Sequence, residues 1–464
     1  MVARSSGCAL CVKRRVKCDE RVPGCLRCEI YGRPCPGYDR GFKFVAGKPH
    51  RSRRPKSSDG GSNGNSPRNA AEVAVEHGSA VDYQAVVQRP SCMESADLNV
   101  MHSLDILVLE LSRPFPATSA HVISRWFGFL PTVYGRNRTL DSTIRSFAAH
   151  HIGRINENEG AVQYAKSAYG QALHRLRVSL DDPEECFSSE VFCAVLLLCL
   201  YELFTNIDDA DAWMKHAKAL SQLVQIRGSR RFLNEFDQAL LKASRGLIVM
   251  YSLFSGQSCF LTSNDWHSVT RQQFSENFSV EVDLVEQFFA YFTFAPSLVH
   301  ELYDLREAGH TSQNTVERLS DLLARTIDIQ GKLLAWYDLF SHAVPAPDEV
   351  PSPSGDNLYS LVLWYSDEST ATIFCGYYSY MLILHEILRT CGYPGEHATM
   401  VLYFRDQICR SVEFNTRGLL GPYRMAFAMR VAYEAADPTA KIWIESWTQR
   451  LSKVYAAIRP QNFG

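Results

Sequence analysis

Several patterns that would indicate a membrane protein or an enzyme are missing from this sequence of 464 residues. The apolar run from Val191 to Leu200 has ten residues, whereas a membrane-spanning helix needs roughly 18 or more. There is no G-x-G-x-x-G motif for a dinucleotide, and His385-Glu386 lacks the second histidine of a zinc protease helix. We therefore predict a protein that is not an enzyme and has no membrane partner.

The repeated pattern of a coiled coil is also missing. Nowhere do three successive heptads carry apolar residues at both the a and the d position, which is the pattern that pairs two helices. A homodimer of this chain would therefore have to form without an evident coiled coil.

Six of the 14 cysteines lie near the N-terminus in one unit written twice, C-x2-C-x6-C and again C-x2-C-x6-C. A C-x2-C pair can place both sulfurs on one metal, and thiolates favour tetrahedral zinc. Two tetrahedral ions need eight ligand positions, so six sulfurs suffice only if two of them bridge. We therefore predict two Zn(II) ions in one binuclear cluster with a folding role. The ligands are Cys8, Cys11, Cys18, Cys25, Cys28 and Cys35.

Two other interpretations of these cysteines are weaker. A secreted disulfide knot would need an export signal, but Met1–Ser6 runs towards Cys8 without an apolar stretch. An iron-sulfur cluster would be expected to show ferredoxin spacings, and neither the bacterial nor the plant type is present.

The interval between Cys11 and Cys18 is basic and predicts contact with nucleic acid. It holds Lys13, Arg14, Arg15 and Lys17, and such side chains bind guanine edges and phosphates in the major groove. Residues 1–58 hold 15 Lys and Arg against 4 Asp and Glu, a formal charge of +11, while the whole chain has −2. The remainder is therefore acidic, which suggests that the N-terminal part alone meets nucleic acid.

From Cys8 to Tyr38 the sequence closely resembles the Zn₂Cys₆ DNA-binding domain of fungal transcription regulators. The resemblance implies that Cys8 and Cys25 bridge the ions, with the other four cysteines as terminal ligands. It also implies that Arg14, Arg15 and Lys17 face the major groove of a CGG triplet, with Arg15 as the main base-reading residue. Pro23 matches the loop between the two halves. Val12 departs from the family, where a basic residue is usual.

The next segment, about residues 41–97, reads as a linker. Its basic cluster is a candidate nuclear import signal, and extra phosphate contacts or a solvated run of charge are the alternatives. The Gly- and Ser-rich stretch that follows cannot bury a core, so we predict flexibility. The import candidates are Arg51, Arg53, Arg54 and Lys56.

From residue 98 to 464, helical periods dominate and strand-like alternation is scarce. Val191–Leu200 predicts a central core helix that could start at the acidic, proline-containing segment 182–185. A second buried stripe predicts a helix that ends at Arg227-Gly228. Its residues are Ala210, Trp213, Ala217, Leu220 and Val224, and those of a third amphipathic helix are Ala165, Ala168, Tyr169, Ala172, Leu176 and Leu180.

Motifs of this region, such as Trp213-Met214-Lys215-His216-Ala217, resemble the fungal-specific transcription factor regulatory domain. We interpret Trp213 and His216 as core residues rather than a pocket. The predicted fold is thus a small zinc-stapled domain with two short helices (residues 1–40, the head), a flexible linker (41–97) and a large all-α domain (98–464, the body).

The resulting prediction is a nuclear regulator, more often an activator in this family, that reads CGG-type sites in double-stranded DNA and recruits transcription machinery or coregulators. RNA polymerase II genes, including those of a secondary-metabolite pathway, are the expected targets by resemblance. The alternative is a zinc-containing interaction or corepressor protein without sequence-specific DNA binding.

Overall fold

The computed structural model describes residues 8–19, 21, 24–33, 35, 102, 104–105, 125–205, 212–271, 280–308 and 313–458, and the account below is confined to them. The predicted linker lies outside these residues, as do Pro23 and the import candidates Arg51, Arg53, Arg54 and Lys56. The buried apolar side chains form two clusters. One consists of cysteines in the head, and the other is the core of the body, from Leu104 to Ile458.

The described part of the chain is mainly helical, as the sequence predicts. In the head, α1 spans Ala9–Lys13 and α2 spans Leu26–Ile30. The helices of the body are α3 (Leu130–Val133), α4 (Arg138–Ile155), α5 (Glu159–Asp181), α6 (Ser189–Thr205), α7 (Ala212–Arg227), α8 (Glu235–Ser255), α9 (Asn264–Arg271), α10 (Val280–Phe292), α11 (Ala295–Ala308), α12 (Gln313–Ala343), α13 (Glu368–Thr390), α14 (His397–Arg410), α15 (Val412–Asn415), α16 (Gly421–Glu434) and α17 (Pro438–Leu451). Short 3₁₀ turns cover Arg125–Phe129, Glu185–Phe187, Ser229–Arg231, Phe260–Thr262 and Ala456–Ile458.

The predicted core helix is confirmed as α6. Every side chain from Val191 to Leu203 is buried, and the helix packs against α4, α5, α7 and α8. A helix that is apolar all round must be covered on every side. The uninterrupted apolar run therefore places α6 at the centre of the surrounding helices.

The predicted start of α6 is wrong. The Asp182 carboxylate accepts the backbone N–H groups of Glu184 and Glu185, both at 2.9 Å, but these bonds begin the separate 3₁₀ turn Glu185–Phe187. The extended backbone of Ser188 ends that turn. Its hydroxyl oxygen then accepts the N–H of Val191 at 3.1 Å, so α6 begins at Ser189.

The predicted amphipathic helix α5 is confirmed, with one correction. Ala165, Ala172 and Leu176 are buried as expected, but Leu180 is 41% exposed. Ser179 takes the inward position instead, and its hydroxyl lies 2.7 Å from that of Thr139 on α4. Because a helix has about 3.6 residues per turn, the inward face steps from Leu176 by three residues and not by four.

The predicted helix with the stripe that includes Ala217 is α7. Ala217, Leu220 and Val224 are fully buried, and Trp213 is half-buried. The helix ends at Arg227, and Gly228 follows with φ of +71°, a left-handed conformation that favours glycine. Ala210 lies outside the described residues.

The second half of the body is arranged around α13, which packs against α12, α14 and α16. Asp367 caps it by accepting the N–H groups of Ser369 and Thr370 at 2.9 Å. Before this helix, β1 (Asp348–Pro351) and β2 (Leu361–Trp364) form a small antiparallel ribbon in which Asp348 faces Trp364. Among the described residues this ribbon is the one departure from the predicted all-α body.

Two buried ion pairs connect helices of the body. Arg227 at the end of α7 contacts Asp237 on α8 at 2.7 Å, and both side chains are less than 5% exposed. Arg245 on α8 donates from both terminal nitrogens of its guanidinium, Nη1 and Nη2, to the carboxylate of Glu286 on α10. No described helix combines the length and apolar character that crossing a membrane would need.

Candidate metal centre and nucleic-acid interface

The two halves of the head place their cysteines in the same way. Cys8 lies directly before α1 and Cys25 directly before α2. The Sγ atom of Cys8 accepts the backbone N–H of Cys11 at 3.4 Å, and the Sγ atom of Cys25 accepts that of Cys28 at 3.3 Å. Each C-x2-C unit therefore folds over its own first sulfur, which is the local structure expected of a repeated metal-binding unit.

The six sulfurs come together in two overlapping groups. One group is Cys8, Cys25, Cys28 and Cys35, the other is Cys8, Cys11, Cys18 and Cys25, and within each group the sulfurs lie within 4.8 Å of one another. Each group has four members, the number of ligands that structural zinc takes.

The spacing of the sulfurs fits tetrahedral zinc. The Sγ atom of Cys8 lies 3.7 Å from that of Cys25 and 3.5 Å from that of Cys28, and the Sγ atoms of Cys11 and Cys25 are 3.6 Å apart. Four sulfurs at about 2.3 Å from one zinc would be about 3.8 Å apart. A disulfide would need about 2.05 Å, and all described cysteines are free thiols. The disulfide interpretation is therefore excluded for the described cysteines.

Packing the thiols against one another makes them hard to ionise on their own. Burial, followed by the contact with Cys25, raises the pKa of Cys11 to about 12. Burial also raises the pKa of Cys25 and of Cys28. Thiolates are the form that binds metal, and a divalent cation lowers the pKa of a thiol that it coordinates. The donor set thus fits zinc, which would supply the positive charge that keeps these sulfurs ionised.

Three of the four predicted DNA-binding side chains are exposed. Lys13 ends α1, and Arg15 and Lys17 follow in the stretch that leads to Cys18. Arg15 has φ of +55°, a conformation that few non-glycine residues adopt. This left-handed turn ends α1 and lets the chain continue to the next ligand.

Arg14 has a different environment. Its guanidinium carbon lies 3.4 Å from the ring centroid of Tyr31, which follows α2, and its Nη1 atom is buried without a hydrogen-bond partner. Arg14 is only half-buried. It therefore packs the two halves of the head together, and its predicted role at the groove stays a prediction.

An acidic side chain also joins the two halves. The Asp19 carboxylate, one residue after Cys18, accepts the N–H groups of Leu26 at 3.1 Å and Arg27 at 3.4 Å. The bond from Leu26 is the main reason that the pKa of Asp19 is lowered. Neither the Asp19 bonds nor the Tyr31 stack was predicted from the sequence. An Asp before a short helix can cap its first N–H groups. Asp19 does so for α2, but it lies seven residues before Leu26, much farther than an ordinary N-cap, so the signal in the sequence is weak.

Comparison with known protein families agrees with this geometry. Residues 6–43 match the fungal Zn(2)-Cys(6) binuclear cluster domain, and residues 119–358, more than half of the chain, match the fungal specific transcription factor domain. The chain belongs to the fungal Zn(2)-Cys(6) transcription factors. Both matched families are transcription factor domains and not enzymes, in agreement with the prediction that this family member has no enzymatic activity.

Individual relatives are distant from this zinc-cluster transcription factor. An uncharacterized protein of Emericella nidulans is 25% identical over 202 residues, which are 42% of this chain and 43% of the relative. The transcriptional regulatory protein moc3 of Schizosaccharomyces pombe is 25% identical over 210 residues, 44% of this chain and 38% of moc3. The chain thus spans less than half the length of these relatives. No solved structure matches it.

In the body, His216 has the environment expected of a core residue. Its Nε2 atom lies 3.2 Å from the hydroxyl of Tyr169, which donates a hydrogen bond to Glu202. Trp213 packs edge-on against Phe254 at 6.1 Å between ring centroids. These contacts lie within the fold and agree with the interpretation of Trp213 and His216 as packing residues.

Proposed function

We propose that this protein is a nuclear transcription regulator whose head binds double-stranded DNA at CGG-type sites. Family membership and the similarity to moc3, a transcriptional regulatory protein, support the regulatory role. The observation that carries the proposal is the head itself, because a sulfur cluster with the spacing of two zinc ions holds exposed cations on one short segment.

The bound zinc ions would supply folding free energy and no reaction step. Cys8 and Cys25 belong to both sulfur groups, so these two residues would bridge the ions and join the halves. α1 and the turn after it would then carry Lys13, Arg15 and Lys17 to the DNA. Arginine paired with guanine O6 and N7 is the commonest base-specific contact in the major groove.

The four basic residues divide into different roles in this proposal. Arg15 would read a base, and Lys13 would bind a phosphate. Arg14, which stacks on Tyr31, would orient the turn that carries Arg15 as well as add positive charge to the surface. Arg14→Lys keeps the charge and loses the planar stacking, so it separates these two contributions.

We further propose that the regulator activates RNA polymerase II genes of a particular pathway, such as a secondary-metabolite pathway, and that its body contacts coregulators. Arg51, Arg53, Arg54 and Lys56 would serve nuclear import. Genome-wide mapping of bound promoters tests the pathway, and a reporter gene under one bound promoter tests activation against repression.

The primary test is binding of the full chain to a CGG-containing duplex and to a scrambled duplex, measured by fluorescence anisotropy at ~150 mM salt, where nonspecific contacts are weakened. We expect a clear preference for the CGG duplex. Equal binding to both duplexes would refute sequence-specific recognition and favour the interaction-protein alternative.

Variants assign the roles. Arg15→Ala should cost ~1 to 3 kcal/mol on the CGG duplex and relax the preference at one base, whereas Lys13→Ala should weaken all sequences alike and flatten the salt dependence. Arg177→Ala, at an exposed position of α5, is the matched control and should change neither. Sequence-blind losses of the same size from Arg15→Ala and Lys13→Ala would contradict the assigned roles.

A further inference from the structure

A cavity of about 400 Å³ lies in the body, away from the metal centre. One wall comes from α4, a second from the end of α6, and a third from Gly418, Leu419 and Val454. These last three residues follow the region matched by the family, which ends at residue 358. The volume lies within the range of pockets that bind small molecules.

The cavity has an apolar, aromatic interior and a more exposed mouth. Among its lining residues, Phe147 is 6% exposed and Tyr201 is 4% exposed, whereas Ile155 is 52% and Val454 is 59% exposed. Aromatic contacts fix the interior, since Tyr201 stacks on Tyr169 with ring centroids 4.6 Å apart. A rigid apolar interior favours a hydrocarbon or aromatic group and disfavours a small, strongly hydrated ion.

The described residues that line the cavity include one permanently charged side chain, the guanidinium of Arg154. His150 and Arg154 lie one turn apart on α4, with His151 next to His150, and none of the lining residues that the structure describes is Asp or Glu. Burial, followed by the charges of Arg154, His151 and Lys166, lowers the pKa of His150 to about 4. Because burial disfavours charge of either sign in the interior, a negative charge would lie at the mouth, beside Arg154, whose side chain is exposed. The Nδ1 atom of His150 has no hydrogen-bond partner within the described protein, so it is available to a polar group that enters the cavity.

We propose that this cavity binds a small carboxylic acid with an apolar body. The carboxylate lies near Arg154 at the mouth, and the apolar body extends towards Phe147 and Tyr201. The guanidinium of Arg154 donates to the backbone carbonyl of Lys453 at 2.9 Å, and this hydrogen bond holds it at the mouth of the cavity. The site belongs to the body and does not depend on DNA binding by the head.

The test uses the full chain and three probes of one shape, namely 3-phenylpropionate, 3-phenylpropanamide and 3-phenylpropylamine, with inorganic phosphate as a fourth. Calorimetry and the melting temperature of the body report binding at pH 7. We expect the carboxylate to bind at least about tenfold more tightly than the amide, with the amine and phosphate weaker still. Equal binding of carboxylate and amide, or no binding of the carboxylate at millimolar concentration, would overturn the proposal.

Three variants locate the site. Arg154→Gln, which can still donate to the Lys453 carbonyl, should reduce carboxylate affinity about tenfold and leave amide affinity within about twofold. Val454→Trp, a larger side chain at the exposed mouth, should weaken both probes. Arg177→Gln on α5 is the control and should behave as the wild type.

Circular dichroism and melting temperature confirm that each variant is folded. If folded Arg154→Gln binds the carboxylate as tightly as Arg177→Gln does, the charge assignment is refuted. If Val454→Trp binds both probes normally, the cavity is not where they bind, and the proposal fails for that reason.

Discussion

The head and the body of this transcription factor differ in the side chains that form their buried interiors. The fully buried side chains of the head are cysteines, while those of the body include Trp126, Trp336 and Tyr380. Helices α1 and α2 have five residues each, far fewer than the roughly 12 to 15 at which an isolated helix becomes marginally stable. The comparison indicates that metal binding supplies the folding free energy of the head, and apolar burial supplies that of the body.

Charge divides the two regions in the same way. In the head, Lys13, Arg15 and Lys17 are exposed near the sulfur cluster. In the body, Arg227 and Arg245 are buried and paired with Asp237 and Glu286. In the proposed function the exposed cations of the head serve recognition, whereas Arg227 and Arg245 serve internal packing, so a charge lost from each region should have a different consequence.

Removal of zinc should produce the largest difference between the regions. Structural zinc contributes roughly 10 to 16 kcal/mol in small zinc domains, so EDTA should unfold the head and let trypsin cleave the backbone after Lys13 and Arg15. The melting temperature of the body, followed by circular dichroism, should stay the same. A body that melts earlier after chelation would break the proposed division between metal-dependent and apolar folding.

Single cysteines sharpen this test. Because Cys8 belongs to both sulfur groups, Cys8→Ser should lose both ions, whereas Cys11→Ser should lose one. Cys186→Ser, in the 3₁₀ turn before α6, is the control and should keep both. Zinc counted by native mass spectrometry gives the answer, and two ions retained by Cys8→Ser would exclude its bridging role.

Breaking a buried ion pair should destabilise the body and leave the head unaffected. Asp237→Ala leaves Arg227 buried without its partner, and such a change costs roughly 3 to 5 kcal/mol. Asp321→Ala removes the exposed partner of Arg325, a surface pair with side chains 39% and 64% exposed, and should cost less than about 1 kcal/mol. Urea unfolding measures the free energy of unfolding of both variants. Equal decreases would contradict the prediction that a buried ion pair matters more for stability than an exposed one.

A histidine pair predicts how the body responds to acid. The Nε2 atom of His385 can accept from the Gln330 amide at 3.2 Å, and its Nδ1–H can then donate to Nδ1 of His397 at 3.0 Å. The Nε2–H of His397 is left to donate to the Pro394 carbonyl at 3.2 Å. One arrangement of protons on two neutral rings therefore satisfies every atom of this chain of hydrogen bonds.

Burial, followed by the charge of His397, lowers the pKa of His385 to about 4. An unfolded histidine titrates near 6.5, so the unfolded chain takes up a proton first as the pH falls. The stability contribution is complete above about pH 6.5 and is lost towards pH 4, by roughly 2 kcal/mol. Urea unfolding from pH 7 to pH 4.5 should show a shallower decline for His385→Gln than for the wild type. The exposed His342→Gln should not alter the profile, and identical profiles for all three proteins would refute this prediction.

The sequence could predict that the six cysteines come together, because the repeated cysteine spacing indicates a metal-binding unit whatever the rest of the fold is. It could predict α6 because an uninterrupted apolar run admits few other positions. Helix starts were harder, since Asp182 and Ser188 are both good caps and only the packed structure selects Ser188. The Arg14 stack on Tyr31 and the cavity depend on contacts between residues far apart in the chain, which local periodicity does not encode.

The smallest predicted effect compares one cap in each region. Asn158 caps α5 by accepting the N–H of Ala161 at 3.1 Å, so Asn158→Ala should lower the unfolding free energy of the body by about 1 kcal/mol and leave zinc affinity unchanged. Asp19→Ala removes the acceptor for Leu26 and Arg27. Folding of the head is coupled to metal binding. The loss of these two hydrogen bonds should therefore weaken zinc retention in a chelator competition and leave the melting temperature of the body unchanged. If Asp19→Ala keeps zinc as tightly as Asn158→Ala does, the hydrogen bonds of Asp19 contribute nothing to the folding of the head, and the sulfur cluster holds its two halves together without them.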